Sequence, residues 1–425
     1  MARILSRLGL GASAQLISAG NKILLSVAVA RTASPAQFGA FAIAFAATVL
    51  ALTVARALIA EPLSITLPRG NSDRRAVSDG ATGAALLLGL GLGLVFVSVG
   101  LVIGADLGRL LIVFGCLQPA VLLQEVWRYI FVAEGNPRAA ALNDSIWLAF
   151  TLVLLFLTQT TRVSFTDAIV LWGIGAAASA AFGAHQAGAV PRPRKARDFL
   201  ARHRFYWSRI GPEQVVSASS WQIGLVLVAT IAGLEAAGAL RAAQTALGPA
   251  GVFISAASLA LVPELARLDA EDSSIAGWAR ASSFLLGSLT VIAGVVLLNL
   301  PAVVGEWFLG SSWSAARAIL PAMTLFLAST GINMGFLSGL RALGAVHRSL
   351  RVRLFMSPLH VGALTLGTAA AGLGVGVAAL AIVNLAAGFI WAEQFRRAVR
   401  DREKDRHCQP CPASEEVLQD NSTSA

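Results

Sequence analysis

Apolar residues in this chain fall in long unbroken stretches rather than in alternation with polar ones. Twelve such stretches lie near 9–30, 38–60, 81–103, 110–133, 141–159, 167–187, 213–232, 246–264, 282–300, 317–340, 354–372 and 374–394. Most approach or exceed the ~20 residues that a helix needs to cross hydrocarbon. Runs such as 84–102 do not alternate, so they are not the strands of a transmembrane barrel. A helix is the other structure that satisfies its own backbone in lipid. The pattern therefore predicts an all-α membrane protein with 12 transmembrane helices.

Composition agrees with the pattern. Charged residues make up 13% of the 425, against about 25% in a soluble domain, and the mean hydropathy is +0.71. The basic residues then orient the helices. Of the 33 Lys and Arg, 25 fall in the N-terminus, the even-numbered connections and the tail. Five fall on the opposite side (Arg31, Arg109, Arg162, Arg241 and Arg317), and Lys22, Arg56 and Arg128 lie inside spans. Cytoplasmic segments of membrane proteins carry the excess of Lys and Arg. The split thus predicts a multi-pass protein with both termini in the cytoplasm. It also accounts for the net charge of +10 without a nucleic-acid partner; the expected surroundings are membrane lipid. Arg3 and Arg7 before an apolar run resemble a leader, but Gln15, Asn21 and Lys22 interrupt that run, so it is read as a retained first helix.

The longest polar interruption between spans, 189–212, divides the chain. The expected organisation is an N-terminal six-helix lobe over 1–188, a basic cytoplasmic linker over 189–212, a C-terminal six-helix lobe over 213–394, and a disordered cytoplasmic tail over 395–425. The halves look related. Pro35-Ala36-Gln37-Phe38-Gly39-Ala40-Phe41 lies at the start of the second span, and Leu234-Glu235-Ala236-Ala237-Gly238-Ala239-Leu240 is placed before the eighth. Glu61-Pro62-Leu63 ends the second span as Pro263-Glu264-Leu265 ends the eighth. Six is an even number, so both halves start on the same side and form parallel repeats, which in transporters meet at the substrate site. Gly100-x3-Gly104 and Gly372-x3-Gly376 are small-residue patterns that let helices approach closely.

Ionisable groups inside a span are costly, and each is a functional candidate. The candidates are Asn21 and Lys22 in the first span, Arg56 in the second, and Gln124, Glu125 and Arg128 in the fourth. Glu125 and Arg128 share a helix face, as a structural ion pair or as a cation held until an anion arrives. Cations on three helices suit a phosphate or pyrophosphate, which Arg grips with a planar fork and Lys as a point charge. Asp144 is read as a cap of the fifth helix, and Cys116 as a packed small hydrophobe. No Walker loop, metal-spaced histidines or catalytic constellation is present, and no cofactor is implied. Cys408 and Cys411 lack the second ligand pair of a structural zinc site.

The stretch 233–244, Gly248-Pro249 and Leu261-Val262-Pro263-Glu264-Leu265-Ala266-Arg267 resemble the seventh-to-eighth helix region of polysaccharide flippases. These are the Wzx-like members of the multidrug/oligosaccharidyl-lipid/polysaccharide exporter superfamily. Ala33-Ser34-Pro35-Ala36-Gln37-Phe38-Gly39 resembles the turn after their first helix. The resemblance implies two six-helix lobes around a central cleft in a bacterial inner membrane. It implies alternating-access transfer of a polyprenyl-diphosphate-linked glycan to the outer leaflet, with no enzymatic step. It also implies H+ or Na+ as a coupling ion and other polysaccharide-assembly membrane proteins as partners. Two alternatives stay open: an ion-coupled drug/cation antiporter of the same superfamily, which would use Glu125, and a polytopic glycosyltransferase or polymerase of the same pathway. A major-facilitator transporter would carry Gly-x3-Asp-Arg-x-Gly-Arg-Arg; here 70–76 keeps only Asp73-Arg74 of that pattern.

Overall fold

A computed structural model describes residues 2–67, 74–160, 163–270 and 275–408. Among them the chain is helical, without strands; ten of the helices are long and apolar enough to cross a membrane, and with Ala2–Thr32 and the helix through 248–270 the trace follows twelve. The first six are α1 (Ala2–Thr32), α2 (35–66), α3 (Arg74–Ile103), α4 (Ala105–Ala133), α5 (Pro137–Thr160) and α6 (Phe165–Ala187). The second six are α7 (204–232), α8 (234–270), α9 (Ile275–Leu298), α10 (Trp313–Ala342), α11 (Val346–Ala371) and α12 (Leu373–Cys408). The end of the bundle that carries the linker is rich in arginine; the opposite end is poor in it.

Local chemistry sets the turns. Ser34 caps α2 in a reciprocal box with Gln37, with Pro35 at the first helical position, where its missing N–H costs nothing. Three hairpins at the Arg-poor end turn on one glycine each, Gly104, Gly233 and Gly372, with φ of 65°, 86° and 86°. A side chain is disfavoured in that left-handed region. Within α2, residues Arg56–Ala60 form a single π-helical turn. Pro62 has no N–H to return to the carbonyl four residues back, and the Glu61 N–H bonds instead to the Arg56 carbonyl, five residues back. Such turns concentrate at functional positions.

Each half packs on itself through small residues. Gly93 faces the Gly115 carbonyl and Gly100 the Gly108 carbonyl, which zips α3 to α4. Gly367 and Gly376 do the same between α11 and α12. Both small-residue patterns therefore serve contacts within a lobe. Phe41, Phe45, Phe114 and Trp172 form an aromatic core in the first lobe.

The lobes meet at the Arg-poor end. Gly39 on α2 lies against the Leu234 carbonyl, and Gly238 on α8 against the Pro35 carbonyl. The two related motifs thus face each other across the axis that relates the halves. Gly310, in the connection before α10, closes on the Ala30 carbonyl, and the Arg31 guanidinium covers the Trp307 ring at 4.7 Å.

Several expectations are corrected. Residues 234–246, read as a connection, open α8, which breaks only at Leu247 before Gly248 and Pro249. The linker is partly helical, over Ala196–Arg202 and from 204 onward. It docks on α3, where Arg192 and Lys195 reach the Asp79 carboxylate at 3.3 and 3.1 Å. The segment read as a disordered tail begins as helix: α12 runs to Cys408. Glu393 pairs with Arg396 and Arg397 one turn on, and Arg348 with Asp401. Residues 409–425, with Cys411, lie outside the described residues. Cys116 is exposed on the surface of α4 rather than packed.

Candidate functional site

Arg56, at the π turn of α2, donates from Nε to Glu125 Oε1 on α4 at 2.5 Å. Arg128, one turn further along α4, approaches the same oxygen at 2.5 Å with Nη2. Its Nη1 lies 4.0 Å from Asp144 Oδ2 on α5. Gln124 donates to Asp144 Oδ1 at 2.5 Å and to Asn143 Oδ1 at 3.3 Å. Asn143 is tied in turn to Ser179 on α6. Lys22 on α1 lies within electrostatic reach of Glu125, Arg56, Arg128 and Asp144. The structure therefore gathers Lys22, Arg56, Gln124, Glu125 and Arg128, on α1, α2 and α4, into one network with Asp144 on α5.

Asn21 is turned away from it. It accepts a bond from Thr151 Oγ1 and joins α1 to α5. Asp144 is not a cap: it is buried in the second turn of α5, inside the network. The side chains of Glu125 and Arg128 are 2% and 3% exposed, while that of Arg56 is 30% exposed. Arg56 is thus the face that the cluster presents to solvent. Glu125 and Asp144 oppose three cations, and Glu61 on α2 acts on Arg56 as well, so the charges of the inner cluster largely offset one another, as burial inside a membrane protein requires.

Sequence reasoning missed Arg241. Placed on the outer side by the span boundaries, it sits two turns inside α8 and reaches across to the first lobe. Its Nη2 donates to Ser26 Oγ at 2.8 Å and its Nη1 to Gln244 Oε1 at 3.0 Å. The guanidinium lies over the Phe45 ring at 4.7 Å. Its Nε is buried without a partner, and no carboxylate among the described residues pairs with it. Ser26 stands one turn after Lys22 on α1 and donates to the Lys22 carbonyl at 3.0 Å. Lys22, Ser26 and Arg241 therefore run in sequence from the inner cluster toward the Arg-poor end. The repeat held the clue: α2 begins at Pro35, so the matching motif at Leu234 also begins a helix, and Arg241 lies within it.

Helices long and apolar enough to cross a membrane, with a charged network buried among the first six and Arg241 reaching Ser26 from the second six, define a multi-pass membrane protein. No protein-family model and no curated protein sequence matches the chain. Solved structures match its fold. An inward-facing multidrug resistance MATE family transporter of the MOP superfamily superposes with a TM-score of 0.67 at 14% identity, covering 92% of this chain and 96% of that one. The eukaryotic MATE transporter AtDTX14 gives 0.64 at 13% identity, over 94% and 99%. A MOP superfamily transporter from Pyrococcus furiosus gives 0.58 at 14%, over 94% and 96%. Its description states that a reverse polarity of its binding pocket suggests a different function. At these identities the likeness establishes the fold.

Proposed function

We propose that this protein is an alternating-access transporter for an amphipathic anion with a phosphate- or diphosphate-type headgroup. The observation that carries this reading is Arg241, a cation that reaches from α8 to Ser26 and Phe45 of the first half and pairs with no carboxylate among the described residues, beside the cluster of Lys22, Arg56 and Arg128. A preorganised guanidinium donates charge-assisted bonds of the kind a phosphate accepts in pairs. Because Arg241 reaches from one lobe to Ser26 and Phe45 of the other, lobe movement would expose or cover it, as alternating access requires.

A lipid-diphosphate-linked oligosaccharide, the cargo implied by the sequence resemblance, is one member of this class. In that case the Arg-rich end is cytoplasmic and H+ or Na+ drives the cycle. A second reading is favoured by the fold comparison: an ion-coupled drug/cation antiporter, since the related structures include multidrug transporters. It would use Glu125 and Asp144 as cation sites. The pocket polarity described for the Pyrococcus furiosus protein is a precedent, within this fold, for departing from that role.

Binding separates the two. The full chain in lipid nanodiscs is titrated with farnesyl diphosphate and, separately, with tetraphenylphosphonium. The anion reading expects salt-sensitive binding of the diphosphate, weakened at least about tenfold in Arg56→Gln and Arg241→Gln. Binding of tetraphenylphosphonium that Glu125→Gln abolishes, without diphosphate binding, overturns it in favour of the antiporter.

A further inference from the structure

Arg280, Phe284, Gly287, Ser288 and Val291 recur at helical spacing along α9 and share one face of it. Small residues let that helix close on α10. A side chain at Gly287 would meet Ile332 at 2.6 Å, and one at Gly331 the Leu286 backbone at 3.0 Å. Beside this seam runs a groove of about 550 Å³ between α9 and α10, with Leu385 of α12 in its wall. It shares no residue with the charged network or with the contacts of Arg241.

The wall is apolar and faces outward. Phe284, Ile292, Leu325 and Leu385 line it and are all exposed, so the groove opens on the lipid-facing surface rather than into the bundle. Its polar members turn elsewhere: Ser329 Oγ accepts from Asn384 Nδ2 at 2.7 Å, and Ser283 Oγ, unpaired, lies against Gly335. Arg280 stands at the Arg-rich end of the groove. Its side chain is exposed, and its Nε donates to the Ala276 carbonyl at 3.1 Å. Among the described residues no carboxylate pairs with its guanidinium. Trp278, two residues away, is also exposed, as aromatic anchors at the membrane interface are.

Length, width and charge select the occupant. From Arg280 to Ile292 the helix rises roughly 18 Å at ~1.5 Å per residue, close to the ~15 Å that one leaflet contributes to the hydrocarbon core. A membrane helix over that length would fill roughly 1,400 Å³ as a cylinder ~10 Å wide, more than twice the volume of the groove. A hydrocarbon chain is narrower and matches the apolar wall. With the Arg-rich end in the cytoplasm, as the distribution of basic residues predicts, Arg280 lies at the headgroups of the anionic leaflet. A guanidinium there offers a phosphate a planar fork of donors. We infer that this groove is a binding site for one anionic diacyl phospholipid, with an acyl chain along the α9–α10 seam and the headgroup phosphate on Arg280. This lipid is a resident of the outer wall of the second lobe, not a cargo of the junction.

The test uses the full chain purified in detergent, with three probes: dioleoylphosphatidylglycerol, dioleoylphosphatidylcholine and the tail-free glycerophosphoglycerol. Native mass spectrometry counts the lipid retained, and the thermal midpoint reads its effect. Phosphatidylglycerol is expected to stay bound at one per chain and to raise the midpoint. Phosphatidylcholine should be held more weakly, and the tail-free probe should do neither. Arg280→Gln should lower retention of phosphatidylglycerol about fivefold, the contribution of one basic residue near an anionic surface. Ser288→Phe, whose ring would occupy the groove, should abolish retention of both lipids. Arg138→Gln removes the same charge at the same end of the first lobe and should change nothing. Arg56→Gln and Arg241→Gln should also retain the lipid, so failure of diphosphate binding leaves this result standing. Equal retention of the two lipids, an equal loss in Arg138→Gln, undiminished retention in Ser288→Phe, stabilisation by the tail-free probe, or a dimer in place of the lipid complex overturns the inference.

Discussion

Glu125 holds two guanidinium groups on one carboxylate oxygen, and this sets unequal consequences for its partners. Removing the carboxylate leaves Arg56 and Arg128 facing each other, with Asp144 near Arg128 and Glu61 near Arg56. Losing one partner of a buried pair typically costs about 3–5 kcal/mol. Glu125→Gln is therefore expected to lower the thermal midpoint in nanodiscs sharply. Arg56→Gln should cost much less, because its side chain is partly solvated and Arg128 still neutralises Glu125. Equal stability of Glu125→Gln and the wild type would show that the pair does not hold the lobe together. Lys22, Arg56, Glu125 and Arg128 were legible in the sequence as candidates because a charge inside an apolar run is costly, although a structural ion pair explained Glu125 and Arg128 equally well. Asp144 and Arg241 were not, because each lay near an inferred membrane boundary, where a cap or a loop explains a charge equally well.

Among the elements, the α2–α8 crossing governs which end of the junction is closed. A Cβ at Gly39 would collide with the Leu234 carbonyl, and overpacking typically costs about 1–3 kcal/mol. Gly39→Val should weaken the contact at the Arg-poor end. In a Ser26→Cys background it should raise the rate of thiol labelling from that end several-fold. Gly91→Val, where a side chain meets nothing within 4 Å, should leave the rate unchanged. Equal rates in both would place the closure elsewhere.

The linker offers a pH test. His203 is buried just after Ala196–Arg202, and its Nδ1–H donates to the Phe199 carbonyl at 2.8 Å. Burial is the main cause that pushes its imidazole below the ordinary 6.5; the Phe199 carbonyl opposes this and Arg202 adds to it. The unfolded segment then binds the proton more readily than the folded one. The docked linker is expected to be fully stable above about pH 6.5 and to lose protection as pH falls below it. Hydrogen exchange of 193–207 between pH 7.5 and 5.5 reads this. His203→Gln should flatten the dependence, and a wild-type profile that is itself flat would contradict it.

For the whole molecule, the twelve helices were readable because lipid imposes one rule on every backbone polar group. Hydrophobic length fixed the number of spans, and arginine placement fixed their alternation. Helix ends were less readable. Residues 234–245 contain Glu235 and Arg241, which look like a loop when the partner helix is not yet in view; Glu235 stays exposed, whereas Arg241 is covered by Ser26 of α1 and Phe45 of α2. On the proposed transport function, the central question is the sign of the charge that moves.

It is answered by reconstituting the chain in proteoliposomes with a fluorescent short-chain polyprenyl diphosphate and measuring its transfer between leaflets. The account predicts transfer by the wild type and its loss in the Lys22→Gln/Arg241→Gln double variant, which keeps the Arg56–Glu125 and Arg128–Glu125 ion pairs. Absence of diphosphate transfer, together with Glu125-dependent movement of a lipophilic cation in the same vesicles, would contradict it.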